Sequence, residues 1–206
     1  MVAFDSSILS VLLFPDAEVN DGKGAKPVQQ ARERVNALLQ EIADAGEQVL
    51  VPSPVLAEVL ATPGCDIDEV LSTLRGSAFI RIGDFDQRAA VELALRLRAA
   101  MTTGDIREGV ETTKAKMKFD RQIVAIALTN GVRVLYSDGD GVKKSGERSG
   151  LKVQRTAELP IPAIQQDLFE GQPAQVEPAD FPEAPAAADA SEESNAEPLP
   201  PDPITD

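Results

Sequence analysis

VAFDSSIL, residues 2–9, decides how the chain is read. Val2–Phe4 is an apolar run with an acid, Asp5, directly behind it, and Ile8, Leu9, Leu12 and Leu13 then recur at helical spacing. A short strand that ends in a carboxylate and turns at once into a helix is the opening unit of an α/β fold. The same junction returns along the chain. Gln48–Val51 reads as a second strand, with Ser53 as N-cap and Pro54 in the first turn of a helix that carries Glu58. Phe79–Ile82 reads as a third strand, Val132–Tyr136 as a fourth that leads into Asp138, and Leu151–Arg155 as a fifth at an edge.

Helical patterns fill the intervals. Val28, Ala31, Val35, Leu38, Leu39 and Ile42 share a face that Gly46 closes. Asp66 with Glu69 resembles a capping box ahead of Ile67, Val70, Leu71 and Leu74, all expected inward. Asp84 with Gln87 is expected to cap a long helix through Val91, Leu93, Leu97 and Met101. Asp120 is expected to open the helix of Ile123, Val124, Ile126 and Ala127, which ends at Gly131. Strands separated by helices predict a central parallel sheet of four to five strands with right-handed crossovers.

In such a sheet the strand C-termini and the helix starts they feed lie along one edge, where ligands bind. Asp5, Glu58, Asp120 and Asp138 all belong to that edge, with Asp140 as a candidate fifth acid. Carboxylates gathered together repel, and a cation between them offsets the cost. Each acid also has a purely structural reading. Asp5 and Asp120 suit helix starts, Asp138-Gly139-Asp140-Gly141 suits a turn, and Glu58 suits a solvated helix face.

Composition narrows the chemistry. The 206 residues contain no histidine and one cysteine, Cys65. Imidazole acid–base catalysis, His-ligated zinc and four-cysteine zinc sites are therefore excluded. A metal would be held by oxygen alone, which favours Mg²⁺ or Mn²⁺. The lone cysteine fits a reducing cytoplasm, and the sequence offers neither a basic leader nor an apolar stretch long enough to span a membrane.

The four stretches VAFDSSIL, PSPVLAEVL, KFDRQIVAIAL and VLYSDGDG resemble, in order, the acidic motifs of PIN-domain nucleases, with the VapC toxins of bacterial toxin–antitoxin pairs as the nearest large group. The resemblance spans roughly residues 1–155. It implies a three-layer α/β/α fold and metal-dependent endonucleolytic cleavage of RNA. By motif position Asp5, Glu58, Asp120 and Asp138 are the expected catalytic acids, and Asp5, Asp120, Asp138 and Asp140 the expected metal ligands. The expected division of labour has Asp5 and Asp120 holding the cation from opposite sides, Asp138 ligating directly or through water, and Glu58 orienting the attacking water. Ser7 and Ser137 match small hydroxyl positions of the family. RNA is the implied substrate, and an antitoxin protein and a homodimer are the protein partners the resemblance brings into view.

Lys114, Lys116, Lys118 and Arg121 surround Asp120, and Lys143, Lys144, Arg148 and Lys152 follow Asp138. Of these, Lys118, Arg121, Lys143 and Lys144 join Ser7 and Ser137 as expected substrate contacts; the plain alternative is a solvated polar surface. A haloacid-dehalogenase-like phosphatase needs a second acid where Ser7 stands. A receiver domain needs paired N-terminal acids and a late lysine that match poorly here. A PIN-fold binding protein that keeps the acids without cutting is the remaining alternative.

Charge is segregated along the chain. Residues 161–206 hold eleven of the 34 acids, none of the 20 basic residues and nine of the fifteen prolines. The remaining 23 acids and 20 bases leave a net charge of only −3. The expected organisation is a PIN-like domain over 1–159, a short docking helix over 160–171 and a disordered acidic tail over 172–206. The polar stretches 16–26 and 104–118 are expected as loops.

Overall fold

The computed structural model describes residues 1–21, 26–103 and 113–162. Most of the expected docking helix, the whole of the expected tail and residues 22–25 and 104–112 of the two expected loops lie outside these residues, and residues 114–118 of the second expected loop are helical. Within the described residues five short strands form one sheet: β1 (Val2–Phe4), β2 (Val49–Pro52), β3 (Ile80–Gly83), β4 (Val134–Tyr136) and β5 (Lys152–Gln154). Their order is β3-β2-β1-β4-β5, and every pairing is parallel. Among the described residues seven α-helices connect them: α1 (Ser6–Leu13), α2 (Ala31–Asp44), α3 (Ser53–Leu60), α4 (Ile67–Gly76), α5 (Gln87–Thr103), α6 (Lys114–Thr129) and α7 (Asp140–Arg148).

All residues of β1 and β2 are buried, although successive side chains point to opposite faces. Both faces of the sheet centre are therefore covered by helices, which makes a three-layer α/β/α arrangement and explains why these strands are continuously apolar. The core runs through Phe4, Leu50 and Leu135 on the strands and Ile8, Val35, Val55 and Ile126 on the helices. Tyr136 meets Phe4 edge-to-face at 5.8 Å across the β1–β4 pair. Among the described residues no helix is long and apolar enough to cross a membrane.

The sequence reading needs correction at several boundaries. Ser53 is the first residue of α3, and Pro52 rather than Ser53 is its N-cap. Asp66 accepts from the Glu69 N–H at 3.0 Å and caps α4, but Ile67 points out to solvent. Asp86, not Asp84, takes the Ala89 N–H at 2.9 Å at the start of α5. On α5 only Ala89 is fully buried, and Val91 and Met101 are exposed. Helix α6 begins at Lys114 with Thr113 as its N-cap, so Asp120 lies in its second turn and does not open it. Helix α7 has no counterpart in the sequence reading. Gly46 and Gly131 do close α2 and α6, at φ of 62° and 70°, where a side chain would be strained.

The sheet order fixes where a ligand fits. From β1 the chain proceeds outward one way through β2 and β3, then returns to β4 on the other side and continues to β5. The order reverses between β1 and β4. A crevice outside the carboxyl ends of two such strands is the usual binding place of an open α/β sheet. Asp5 follows β1 there, and Ser137 and Asp138 follow β4.

Candidate active site

The ends of β1 and β4 are laced together by backbone and side-chain hydrogen bonds. The Asp5 N–H donates to the Tyr136 carbonyl at 3.0 Å, carrying the ladder one residue past the strands. The Asp5 carboxylate spans the crevice. Its Oδ1 accepts from the Ser6 N–H at 2.8 Å and caps α1, while its Oδ2 accepts from the Ser137 hydroxyl. Ser137 Oγ in turn accepts from the Gly139 N–H at 3.1 Å, and the Asp138 N–H donates to Ser7 Oγ at 3.1 Å. Ser7 and Ser137 thus hold the two strand ends in register.

Asp138 is fixed from the far side. Thr156, just beyond β5, donates its N–H to Oδ1 at 2.9 Å and its hydroxyl to Oδ2 at 2.6 Å. Two donors on one carboxylate set its plane. Asp120 comes from α6 and is buried against the first turn of α7, where Gly141 leaves room for it. A Cβ on Gly141 would lie 2.0 Å from Asp120 Oδ2. Glu58 stands on the exposed side of α3, the helix that follows β2.

These elements enclose a cleft of about 410 Å³ that is lined by Asp5, Glu58, Asp120 and Asp138 together with Ser6, Ser7, Ser10 and Gly139. Glu18, Asn20 and Lys116 complete its polar rim. Burial pushes the Asp5 carboxyl above its ordinary value. The hydrogen bonds from Ser137 and Ser6 oppose that shift, and the charges of Glu58 and Asp138 add to it. Asp5 therefore senses Glu58 and Asp138 across the cleft.

Several expected site residues lie elsewhere. Asp140 is turned to Arg155, with which it forms an ion pair, and it does not line the cleft. Lys143 is paired with Glu158 at 2.8 Å and Glu147 at 4.0 Å. Lys118 and Lys144 are exposed outside the cleft, and Arg121 lines a separate groove described below. Conversely, Lys116 enters the cleft because it stands one turn before Asp120 on the same helix. An earlier start of α6 in the sequence reading would have selected Lys116 over Lys118. For Thr156, Glu18 and Asn20 the sequence carries no local signal, since only tertiary packing brings them here.

The donor set suits a hard divalent cation: oxygen alone, with two buried carboxylates and a third half-buried in one cleft. The raised Asp5 pKa points the same way, because a cation would offset the repulsion that burial intensifies. Among the described residues no group of three or more acids converges closely enough to form a finished coordination sphere. The hydrogen bonds on Asp5 and Asp138 occupy one lone pair of each oxygen and leave others for a ligand.

No family model matches the sequence, and no curated protein matches it. Solved structures do. The chain is similar to VapBC2 from Rickettsia felis, bound to a DNA fragment from its promoter, with 16% identity over 75% of this chain and 98% of that one and a TM-score of 0.48. It is also similar to Mycobacterium tuberculosis VapC20, a sarcin–ricin loop cleaving toxin, with 15% identity over 78% of this chain and 100% of that one and a TM-score of 0.47. DNA-bound VapBC from Salmonella typhimurium gives 13% identity over 76% of this chain and 99% of that one, again with a TM-score of 0.47.

Proposed function

We propose that the protein is a Mg²⁺- or Mn²⁺-dependent endoribonuclease of the PIN type, acting as a VapC-like toxin in the cytoplasm. One observation carries the reading: Asp5, Glu58, Asp120 and Asp138, scattered through the sequence, line a single cleft at the point where the sheet order reverses. Asp5, Asp120 and Asp138 would hold the cation. When bound, it offsets the charge of the phosphodiester and lowers the pKa of a water. Glu58, at the solvent side, accepts the proton of the attacking water. Lys116 faces the phosphate oxygens from across the cleft. Ser137, Ser6 and Thr156 orient Asp5 and Asp138 so that little rearrangement is needed when substrate arrives.

The test is cleavage of a panel of tRNA, rRNA fragments and single-stranded DNA by wild type and Asp5→Asn, with Mg²⁺, Mn²⁺ or EDTA. Metal-dependent cleavage of RNA that disappears in the variant is the expected result. Growth arrest on expression in a bacterial host, absent for Asp5→Asn, is the expected mark of a toxin. A second reading, a PIN-fold nucleic-acid-binding protein that does not cut, draws on the protein donors that already engage both oxygens of Asp5 and of Asp138. RNA binding without cleavage under every metal condition would establish it instead.

A further inference from the structure

Behind the acidic cleft, on the other side of the α6–α7 pair, lies a second concavity of about 280 Å³. Among the described residues its charged lining is arginine, where that of the cleft is mostly carboxylate. Arg96 from α5, Arg121 from α6 and Arg148 from α7 line it together with the hydroxyls of Thr103, Ser145 and Ser149. No described residue that lines it is acidic, although the chain as a whole carries a net charge of −14. Leu93 and Leu97 form an apolar wall beside this cationic rim.

Arg96 is held in place before any ligand arrives, in an ion pair with Glu92 and a hydrogen bond to Ser149. Arg96 Nε donates to Glu92 at 2.6 Å, one turn earlier on α5, and its Nη1 donates to Ser149 Oγ. The Ser149 hydroxyl in turn donates a hydrogen bond to the Ser145 carbonyl at 2.6 Å. A guanidinium has five N–H donors, so these two bonds leave part of the Arg96 fork for a ligand. Arg121 and Arg148 also have partners within the protein. The fork geometry of arginine matches the paired oxygens of a phosphate better than it matches a spherical anion.

The two cavities share a wall. Asp120 and Arg121 are consecutive on α6, yet the first faces the cleft and the second faces the groove. On α7, Val142 lines the cleft, and Ser145 and Arg148 line the groove. We propose that this arginine groove is a phosphate subsite for the RNA strand whose scissile bond lies in the acidic cleft. It takes a backbone phosphate removed from the cut, with the ribose against Leu93 and Leu97. This rests on the ribonuclease reading for the identity of the strand. The groove is small for a nucleotide cofactor and suits one sugar–phosphate unit. A subsite apart from the chemistry would let the protein grip a polyanion whose scissile phosphate enters a cleft where, among the described charged residues, five carboxylates face one lysine.

The test uses the full chain in EDTA, so that binding is read without cutting. Anisotropy with a labelled single-stranded RNA of about 15 nucleotides is measured across a salt series for wild type, Arg148→Gln, Arg121→Gln and Arg148→Lys. Arg75→Gln, an exposed change of equal charge on α4, is the control, and thermal melts establish that each variant is folded. The expected result is about tenfold weaker binding for Arg148→Gln and for Arg121→Gln, with a salt slope smaller by about 0.7 for the one lost phosphate contact. Arg148→Lys should recover part of the affinity, and Arg75→Gln should match wild type. Equal affinities and slopes for the groove variants and Arg75→Gln would overturn the proposal, as would no measurable RNA binding by wild type. So would displacement of the RNA by a poly-glutamate peptide as effectively as by unlabelled RNA. Groove-dependent RNA binding together with no cleavage under any metal condition would leave the subsite standing and remove the nuclease reading alone.

Discussion

At the residue scale, Asp5 occupies a position that folding alone would not favour. Its carboxyl is buried, its pKa is raised by that burial, and two other acids add to the cost. A group whose protonation is favoured by folding destabilises the native state whenever it is ionised. Asp5→Asn keeps the cap on Ser6 and removes the charge. In EDTA at pH 7 the variant should melt higher than wild type by roughly 2–4 °C, the equivalent of about 1 kcal/mol in a domain of this size. With millimolar Mg²⁺ the order should reverse, because only wild type gains from binding. A variant that melts lower in EDTA, or gains as much from Mg²⁺ as wild type, would show that Asp5 is structural. Gly141 makes the complementary case. Gly141→Ala adds a methyl where Asp120 Oδ2 stands only 2.0 Å away, so that carboxylate must move. The variant should keep its fold, since alanine favours helix by up to about 1 kcal/mol, and lose at least about tenfold in cleavage rate. Unchanged cleavage would mean that the position of Asp120 is not critical. Asp5, Glu58 and Asp138 could be placed at the cleft from sequence because Asp5 and Asp138 follow β1 and β4 and Glu58 lies on the helix that β2 feeds. Thr156 could not, since its only relation to Asp138 is that β5 lies beside β4.

At the element scale, β1 and β2 were legible because every residue in them is buried and apolar, and most helices because their apolar residues recur at helical spacing. Three features were not, each for a physical reason. Helix α7 has a single large apolar residue, Val142, and two glycines, and its opening Asp-Gly pairs imitate a turn; packing of Val142, Ser145 and Gly146 decides its conformation. Helix α6 starts early because Thr113 accepts from the Lys116 N–H at 3.3 Å, whereas its first turn contains no inward apolar residue to announce it. Helix α5 reads as more buried than it is, since Val91, Leu95 and Met101 are apolar and yet exposed. A clip at the amino ends of the strands offers a test. Glu47, just before β2, bonds Arg133, just before β4, and the Met1 ammonium beside β1. Arg133 first, and then the amino terminus, hold the Glu47 carboxyl below its ordinary 4.5. A depressed folded-state pKa contributes stability above the unfolded value, and that contribution is lost as pH falls through the folded one. Glu47→Gln should therefore melt slightly below wild type at pH 7, by on the order of 1 °C for so exposed a pair. The difference should shrink from about pH 4.5 downward. A gap that widened in acid would contradict the assignment.

At the scale of the whole molecule, the separation of charge matters more than its total. The net charge of −14 suggests a chain that repels nucleic acid, yet residues 1–160 carry only −3 and include both basic groups that flank the proposed ligands. The eleven acids of residues 161–206 have the sign to compete with RNA for Lys116 and for the arginine groove, whatever path that segment takes. The competition is electrostatic, so it must weaken as salt screens it. A chain ending at Pro162 should bind single-stranded RNA about tenfold more tightly than the full chain at 50 mM salt, and the advantage should fall several-fold by 200 mM. The thermal melt of the shortened chain should be close to that of the full one, because the core described above ends at Leu159. Equal RNA affinity at low salt would mean that the acidic segment does not act on the nucleic-acid surface at all. An advantage that persisted unchanged at high salt would point to steric exclusion instead. The distinction bears on regulation. A screened electrostatic brake answers to polyanions and to basic partners, whereas a steric one answers only to removal of the segment.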